Sequence, residues 1–114
     1  MNKCLFCQII EGEIPTNLVY QDDLTIAFDD INPQAPSHIL IVPRKHIATL
    51  NNLSDSDTLI TGHMIKVAQQ LAKENHLEKD GYRIVMNCNQ HGGQTVFHIH
   101  LHLLGGRQLQ WPPG

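Results

Sequence analysis

The sequence predicts an α+β fold: an antiparallel sheet of about five strands, one short N-terminal helix and one long helix. Three observations predict it. Short β-prone runs are separated mostly by tight turns, one long stretch between two of them repeats its apolar residues with helical spacing, and the 114 residues suit a single domain spanning 1–114. The helices are expected to pack on one face of the sheet.

Residues 4–11 place Leu5 with Ile9 and Phe6 with Ile10 at i, i+4, and Gly12 stands where a helix-ending glycine would, so a short helix is expected. Asn17 to Gln21 and Leu24 to Phe28 are β-prone runs around Asp22-Asp23 and read as a hairpin. A turn-rich stretch from Asp29 to Pro36 follows. His38 to Pro43 is almost continuously apolar, as in a strand covered on both faces or lying in the sheet centre, and Pro43 ends it. Ser54 with Asp57 resembles a capping box, and Ile60, Met64, Val67 and Leu71 recur every 3 to 4 residues to about His76, the long helix. Tyr82 to Asn87 is a further strand, Asn89 to Gly93 a loop, and Thr95 to Leu104 an alternating strand stopped by Gly105-Gly106.

Composition narrows the function. With 8 Lys+Arg against 11 Asp+Glu the formal charge is −3, so the basic footprint of nucleic-acid binding is missing, although backbone N–H groups could still hold one nucleotide. No run reaches the roughly 18 apolar residues of a membrane span. The start MNKCLFCQIIEGE carries acidic residues where a signal peptide stays hydrophobic. No membrane association and a cytoplasmic location are therefore expected. Three cysteines, two of them in Cys4-x-x-Cys7, make no even disulfide framework and raise a metal or a redox role for that pair.

The 8 histidines equal Lys plus Arg in number, and their arrangement is more informative than the count. In Phe97-His98-Ile99-His100-Leu101-His102-Leu103 the odd positions are apolar and the even ones are all histidine, which is the two-residue period of a strand. The imidazoles would share one face at intervals of roughly 6.5 to 7 Å. Such a row could hold a catalytic zinc. It could equally supply a nucleophilic imidazole with a neighbouring proton donor, or lie solvated on an edge. The preceding Gly92-Gly93-Gln94-Thr95 offers close backbone approach, an amide and a hydroxyl, and could present N–H groups to an anion, which favours a phosphoryl centre.

Gly92-Gly93-Gln94-Thr95-x-x-His98-x-His100-x-His102, continued by Leu103-Leu104-Gly105-Gly106-Arg107, resembles the histidine triad family of nucleotide hydrolases and transferases. Glu13-Ile14-Pro15, the stretch from Phe28 through Asp30-Ile31-Asn32-Pro33 to His38, and Trp111-Pro112-Pro113-Gly114 resemble its Hint branch, the purine nucleoside phosphoramidases. The resemblance implies a histidine-triad-like homodimer cutting the P–N bond of adenosine or guanosine 5′-phosphoramidates to AMP or GMP, with no cofactor required for catalysis. It makes His100 the nucleophile that forms a nucleotidyl-histidine intermediate. His102 is implied at the phosphate and leaving group, and His38 beside it. Asn87, Gly93, Gln94 and Thr95 would hold the phosphate and leaving group. Phe6, Ile14, Phe28, Ile31 and Leu40 would enclose the purine, with Asp30 on the ribose hydroxyls and Trp111 reaching toward the partner's site.

Some bacterial members of the family pair a Cys-x-x-Cys with the histidine of a Pro-x-x-His segment and the first triad histidine. Here these are Cys4, Cys7, His46 and His98, a closed Cys₂His₂ set that implies a structural zinc; otherwise Cys4 and Cys7 are reduced thiols on the first helix. Cys88 reads as an ordinary small residue, and His63, His76 and His91 carry no assigned role. Two rival readings stay open: a hydrolase using His98, His100 and His102 as zinc ligands, and a nucleotide-binding scaffold with incidental hydrolysis.

Overall fold

A computed structural model of the protein describes residues 4–114. The first three residues, part of the expected domain and of the N-terminal reading above, lie outside the described residues. Helix α1 (Leu5–Ile10) precedes strands β1 (Leu18–Gln21), β2 (Thr25–Asp29) and β3 (Ser37–Pro43). Two 3₁₀ turns, Leu50–Asn52 and Asp55–Asp57, lead into α2 (Thr58–Glu74), which is followed by β4 (Tyr82–Val85), a one-turn helix α3 (Asn89–Gly92) and β5 (Leu101–Gly105). The strands form one 5-stranded sheet in the order β1-β2-β3-β5-β4. Every neighbouring pair is antiparallel, as the sequence predicts.

Strand β3 lies in the middle of the sheet, which is why its sequence is almost unbroken hydrophobe: both of its faces are covered. Ile39 and Ile41 join Leu101, Leu103 and the buried stripe Met64, Val67, Ala68, Leu71 and Ala72 of α2. Leu40 and Val42 point the other way and meet Phe6 of α1 with Ile26 and Phe28 of β2. The two longer helices therefore sit on opposite faces, not on one as expected; a strand apolar at successive positions leaves two faces to bury.

Three local expectations change. The Ser54–Asp57 capping box forms, but it closes a 3₁₀ turn that runs into α2. The Asn89–Gly93 loop contains a helical turn ended by Gly93 at φ 84°. The strand expected over Thr95 to Leu104 is paired only from Leu101, opposite Ile41; the remaining β3 residues Val42 and Pro43 pair with Ile26 and Thr25 of β2. Upstream of that point the Ile99 N–H donates to the Ile47 carbonyl, 2.8 Å away, in the segment beyond β3. Side-chain alternation survives without the ladder, except that Phe97 is exposed where the pattern puts core.

Candidate active site

The face of the sheet that carries α1 holds a cavity of about 660 Å³, within the range of small-molecule sites. Phe6, Ile14, Phe28, Ile31 and Leu40 line it, with Asp30, Thr95, His100 and His102 among its polar groups. Leu40 and His102 are direct cross-strand partners and so share this face. Phe6 sets its ring edge against Phe28 at 5.6 Å and against His100 at 5.0 Å between centroids. Leu5, Ile9, Thr16, Asn17 and Val96 also line the cavity and were not singled out from sequence. For Leu5 and Ile9 the helical i, i+4 spacing was the available signal.

Ring tautomers follow from fixed backbone groups. The carbonyl of His98 lies 2.8 Å from His100 Nδ1, so that nitrogen carries the proton and Nε2 keeps its lone pair. A second chain of contacts starts from the Gln34 N–H, which donates to His38 Nδ1 at 3.0 Å. His38 must then carry its proton on Nε2, which lies 2.9 Å from His102 Nδ1. His102 accepts there and is left with N–H at Nε2. One neutral imidazole thus offers a lone pair and its neighbour, 5.0 Å away between centroids, offers a donor.

Electrostatics keeps these rings neutral. Burial lowers the pKa of His38 and of His100, with the Asp30 carboxylate acting in the opposite direction on both. For His102, burial followed by the neighbouring His100 and His38 lowers the pKa to about 4, against the opposing pull of Asp30. Asp30 itself accepts the Asn32 N–H on Oδ1 at 2.8 Å, an Asx turn, while Oδ2 lies 3.5 Å from His38 Nε2. The turn uses Oδ1 and leaves Oδ2 toward His38.

His98 faces a different centre. Its Nδ1 lies 3.4 Å from Cys4 Sγ, 3.5 Å from Cys7 Sγ and 3.1 Å from His46 Nδ1, and Cys7 Sγ lies 3.4 Å from His46 Nδ1. A tetrahedral zinc with bonds of about 2.3 Å to sulfur and about 2.0 Å to nitrogen has ligand-to-ligand edges of roughly 3.3 to 3.8 Å, so the donors fit that polyhedron. His98 Nε2–H donates to the Pro43 carbonyl at 2.8 Å, which frees Nδ1 as a ligand atom and fixes the ring. The row of three imidazoles is accordingly split, and the reading in which they share one ion does not match this geometry. Asp30, His38 and His102 also cluster. There the Gln34 N–H on His38 Nδ1 keeps a proton on the Nε2 that would have to bind the metal, so that group is a hydrogen-bond chain.

Four of the remaining candidates stand apart from the cavity lining. The Gly93 and Gln94 N–H groups donate to the carbonyls of Gln90 and Asn89 at 3.0 and 3.1 Å, so the expected anion nest is closed. The Gln94 amide is buried and used as a brace: Oε1 accepts the Asn89 N–H, and Nε2 donates to the Ala48 and Val96 carbonyls. The two glycines and the amide shape the turn that delivers Thr95 to the cavity rim. Asn87 is half-buried behind it, 3.7 Å from the position a Cβ on Gly92 would take. Trp111 is 80% exposed, under the Arg83 guanidinium at 5.9 Å and away from the cavity of its own chain.

Comparison with known proteins agrees with this architecture. The sequence model of the HIT domain matches residues 11–109. The purine nucleoside phosphoramidase of Escherichia coli strain K12 is 54% identical over 107 residues, 94% of this chain and 90% of that protein. Among solved structures, a HIT family hydrolase from Legionella pneumophila Philadelphia 1 superposes with a TM-score of 0.96 at 54% identity, covering 98% of this chain and 100% of that one. A histidine triad protein from Clostridium difficile gives 0.91 at 44% identity over 96% and 97% of the two chains. The chain belongs to the HIT domain family.

Proposed function

We propose that the protein is a purine nucleoside phosphoramidase that hydrolyses the P–N bond of adenosine or guanosine 5′-phosphoramidates, with the whole chain, 1–114, acting as one domain. The observation that carries this reading is the neutral His100, its Nδ1–H on the His98 carbonyl and its Nε2 lone pair left for a cavity with apolar walls. The Nε2 lone pair forms a bond to phosphorus while the P–N bond breaks; the nitrogen leaves with that electron pair and a proton from His102 Nε2, as His102 Nδ1 takes up the proton of His38 Nε2, and the positive charge on the phosphorylated His100 ring balances the charge left on the His38–His102 pair. Water then attacks phosphorus, gives its proton back to His102, and the His100–P bond returns its pair to Nε2. Overall, hydroxide goes to phosphorus and a proton to the amine. Phe6, Ile14, Phe28, Ile31 and Leu40 enclose the purine, Asp30 accepts from the ribose, and Thr95 meets the phosphate. The residual sequence-based candidates Asn87, Gly93 and Gln94 act by shaping the turn. No cofactor enters this chemistry.

Incubation with adenosine 5′-phosphoramidate tests the reading. Release of AMP, with a trapped adenylyl adduct mapping to His100, is expected; absence of turnover, or an adduct on another residue, would sink it. His100→Ala should form no adduct.

Three companion readings rest on separate observations. The donor set and its spacing support a structural zinc held by Cys4, Cys7, His46 and His98, which would tie α1 to the segments after β3 and before β5. Strand β4 is a sheet edge with Tyr82 and Ile84 exposed beside Ile65 of α2, which supports a homodimer through that edge. Trp111 would approach the partner's site in such a dimer. No helix among the described residues is long and apolar enough to cross a membrane. The mildly acidic chain supports a nucleotide and not a nucleic acid as ligand, and the reduced Cys4 and Cys7 that a zinc site needs support a cytoplasmic location.

A further inference from the structure

The donor at His102 Nε2 depends on the Gln34 N–H, and the position of Gln34 has a cause elsewhere in the chain. Gln34 lies in the exposed connection between β2 and β3, where its side-chain Nε2 donates to the Asn32 carbonyl at 2.9 Å. The Gln34 carbonyl accepts two hydrogen bonds from one guanidinium: Arg107 Nε at 3.1 Å and Arg107 Nη2 at 2.9 Å. The third, Nη1, donates to the Gln108 carbonyl at 3.1 Å, so the guanidinium plane is fixed from the other side. Arg107 reaches Gln34 because of the glycine before it. A Cβ at Gly106, where φ is 95°, would lie 2.9 Å from Pro36 Cβ. A glycine there lets the end of β5 pack this closely against the 33–36 connection.

We propose that Arg107 is a positioning residue for the reaction: clamping the Gln34 carbonyl holds the Gln34 N–H on His38 Nδ1, and this keeps His102 in the tautomer that presents Nε2–H to the substrate. The chain of contacts runs Arg107 to Gln34, Gln34 to His38 at 3.0 Å, and His38 to His102 at 2.9 Å. If the Gln34 N–H moves away, His38 can carry its proton on Nδ1 and donate from His102 Nδ1 to its Nε2, and the donor at the cavity becomes a lone pair. Two parallel donors on one acceptor are a property of arginine that lysine does not reproduce. The catalytic side of this inference rests on the phosphoramidase reading; the tautomer side does not.

The test compares wild type with Arg107→Met and Arg107→Lys. Nitrogen-15 NMR of labelled histidine reads the tautomers of His38 and His102 without any substrate, and wild type should show both protonated on Nε2. Arg107→Met should show Nδ1–H signal appearing at both rings. With an amine leaving group its kcat should fall about tenfold or more, part of the usual range for lost proton donation, with KM changed less than about twofold. The p-nitrophenyl ester of AMP, whose leaving group departs without a proton, should be turned over near the wild-type rate. Arg107→Lys should fall between the two and serves if the methionine variant does not fold. Unchanged tautomers in the variants, or equal losses on both substrates, would overturn the proposal and leave Arg107 a loop staple. Failure of wild type to cleave either substrate would count against the phosphoramidase reading while the NMR arm still decides the tautomer link.

Discussion

At the scale of single residues, the site depends on which nitrogen of each ring holds a proton, and backbone groups decide it. On the proposed mechanism His102 supplies the leaving group's proton, so His102→Ala should lower turnover of amine substrates by about 10² to 10⁴. Equal steady-state rates for the two proteins would contradict the role. Asp22 shows a different use of histidine. Its Oδ2 accepts from Tyr20 Oη–H and His63 Nε2–H, both at 2.6 Å, and its Oδ1 from the Leu24 and Thr25 N–H groups at 2.8 Å. Burial raises the carboxyl pKa, but these bonds outweigh it and hold the group well below the usual range. A depressed folded pKa means that this stabilisation is complete above about pH 4, the unfolded value, and drains away as pH falls toward the folded one. Asp22→Ala should lose about 1 to 3 kcal/mol at pH 7 by leaving several donors unpaired. Urea unfolding between pH 7 and pH 3 should also show a flatter acid limb for the variant. The sequence places Asp22 in the hairpin turn and points to no role for His63, because a contact between the β1–β2 turn and a helix 41 residues later has no local signature.

Elements explain which histidine does what. The alternation of Phe97 to Leu103 was legible, and so was the hydrophobic opposite face through Ile99, Leu101 and Leu103. What periodicity does not contain is where pairing with the partner strand stops. Pairing begins only at Leu101, and the unpaired His98 turns to the cysteines of α1 while His100 and His102 keep the cavity. Helix α1 is only 6 residues long, too short to persist alone. It is held by Phe6 in the pocket wall and, on the zinc reading, by metal at both ends of Cys4-x-x-Cys7. Elemental analysis of protein purified without an affinity tag should give near one zinc per chain, and Cys4→Ser and Cys7→Ser should lose it with a lowered melting temperature. A metal-free preparation melting at the same temperature as the loaded one would contradict the structural role. The turn before Thr95 shows the converse: its sequence could present N–H groups to an anion, but the helical turn Asn89–Gly92 takes up the Gly93 and Gln94 N–H groups internally.

For the molecule as a whole, the sheet separates two tasks. One face, under α2, is core; the other, under α1, holds the cavity. The outer edge at β4 is left uncovered with Tyr82 40% and Ile84 39% exposed. Ile84→Lys places a charge on that edge, and sedimentation should show a shift from dimer to monomer at micromolar concentration. A monomeric wild type, or an unshifted variant, would exclude association through β4. If the dimer also brings Trp111 to a neighbouring cavity, the same variant should raise KM for substrates with bulky amines more than for adenosine 5′-phosphoramidate.

The sequence by itself determined the fold class and the order of the main strands and helices, because hydrophobic period and turn residues are local patterns, and its Gly-Gly-Gln-Thr and His-x-His-x-His motifs point to the candidate site residues. Tertiary structure alone decided how those side chains are held and tuned. That Gln94 braces a turn, that His63 serves Asp22, and that Arg107 reaches Gln34 all depend on contacts between residues distant in the chain; the grouping of His98 with Cys4, Cys7 and His46 is already implied by the family resemblance, and the structure adds its spacing. Such contacts are set by strand register, by where the β3–β5 ladder stops and by what Gly106 allows to approach, and none of these is written in the residues nearby.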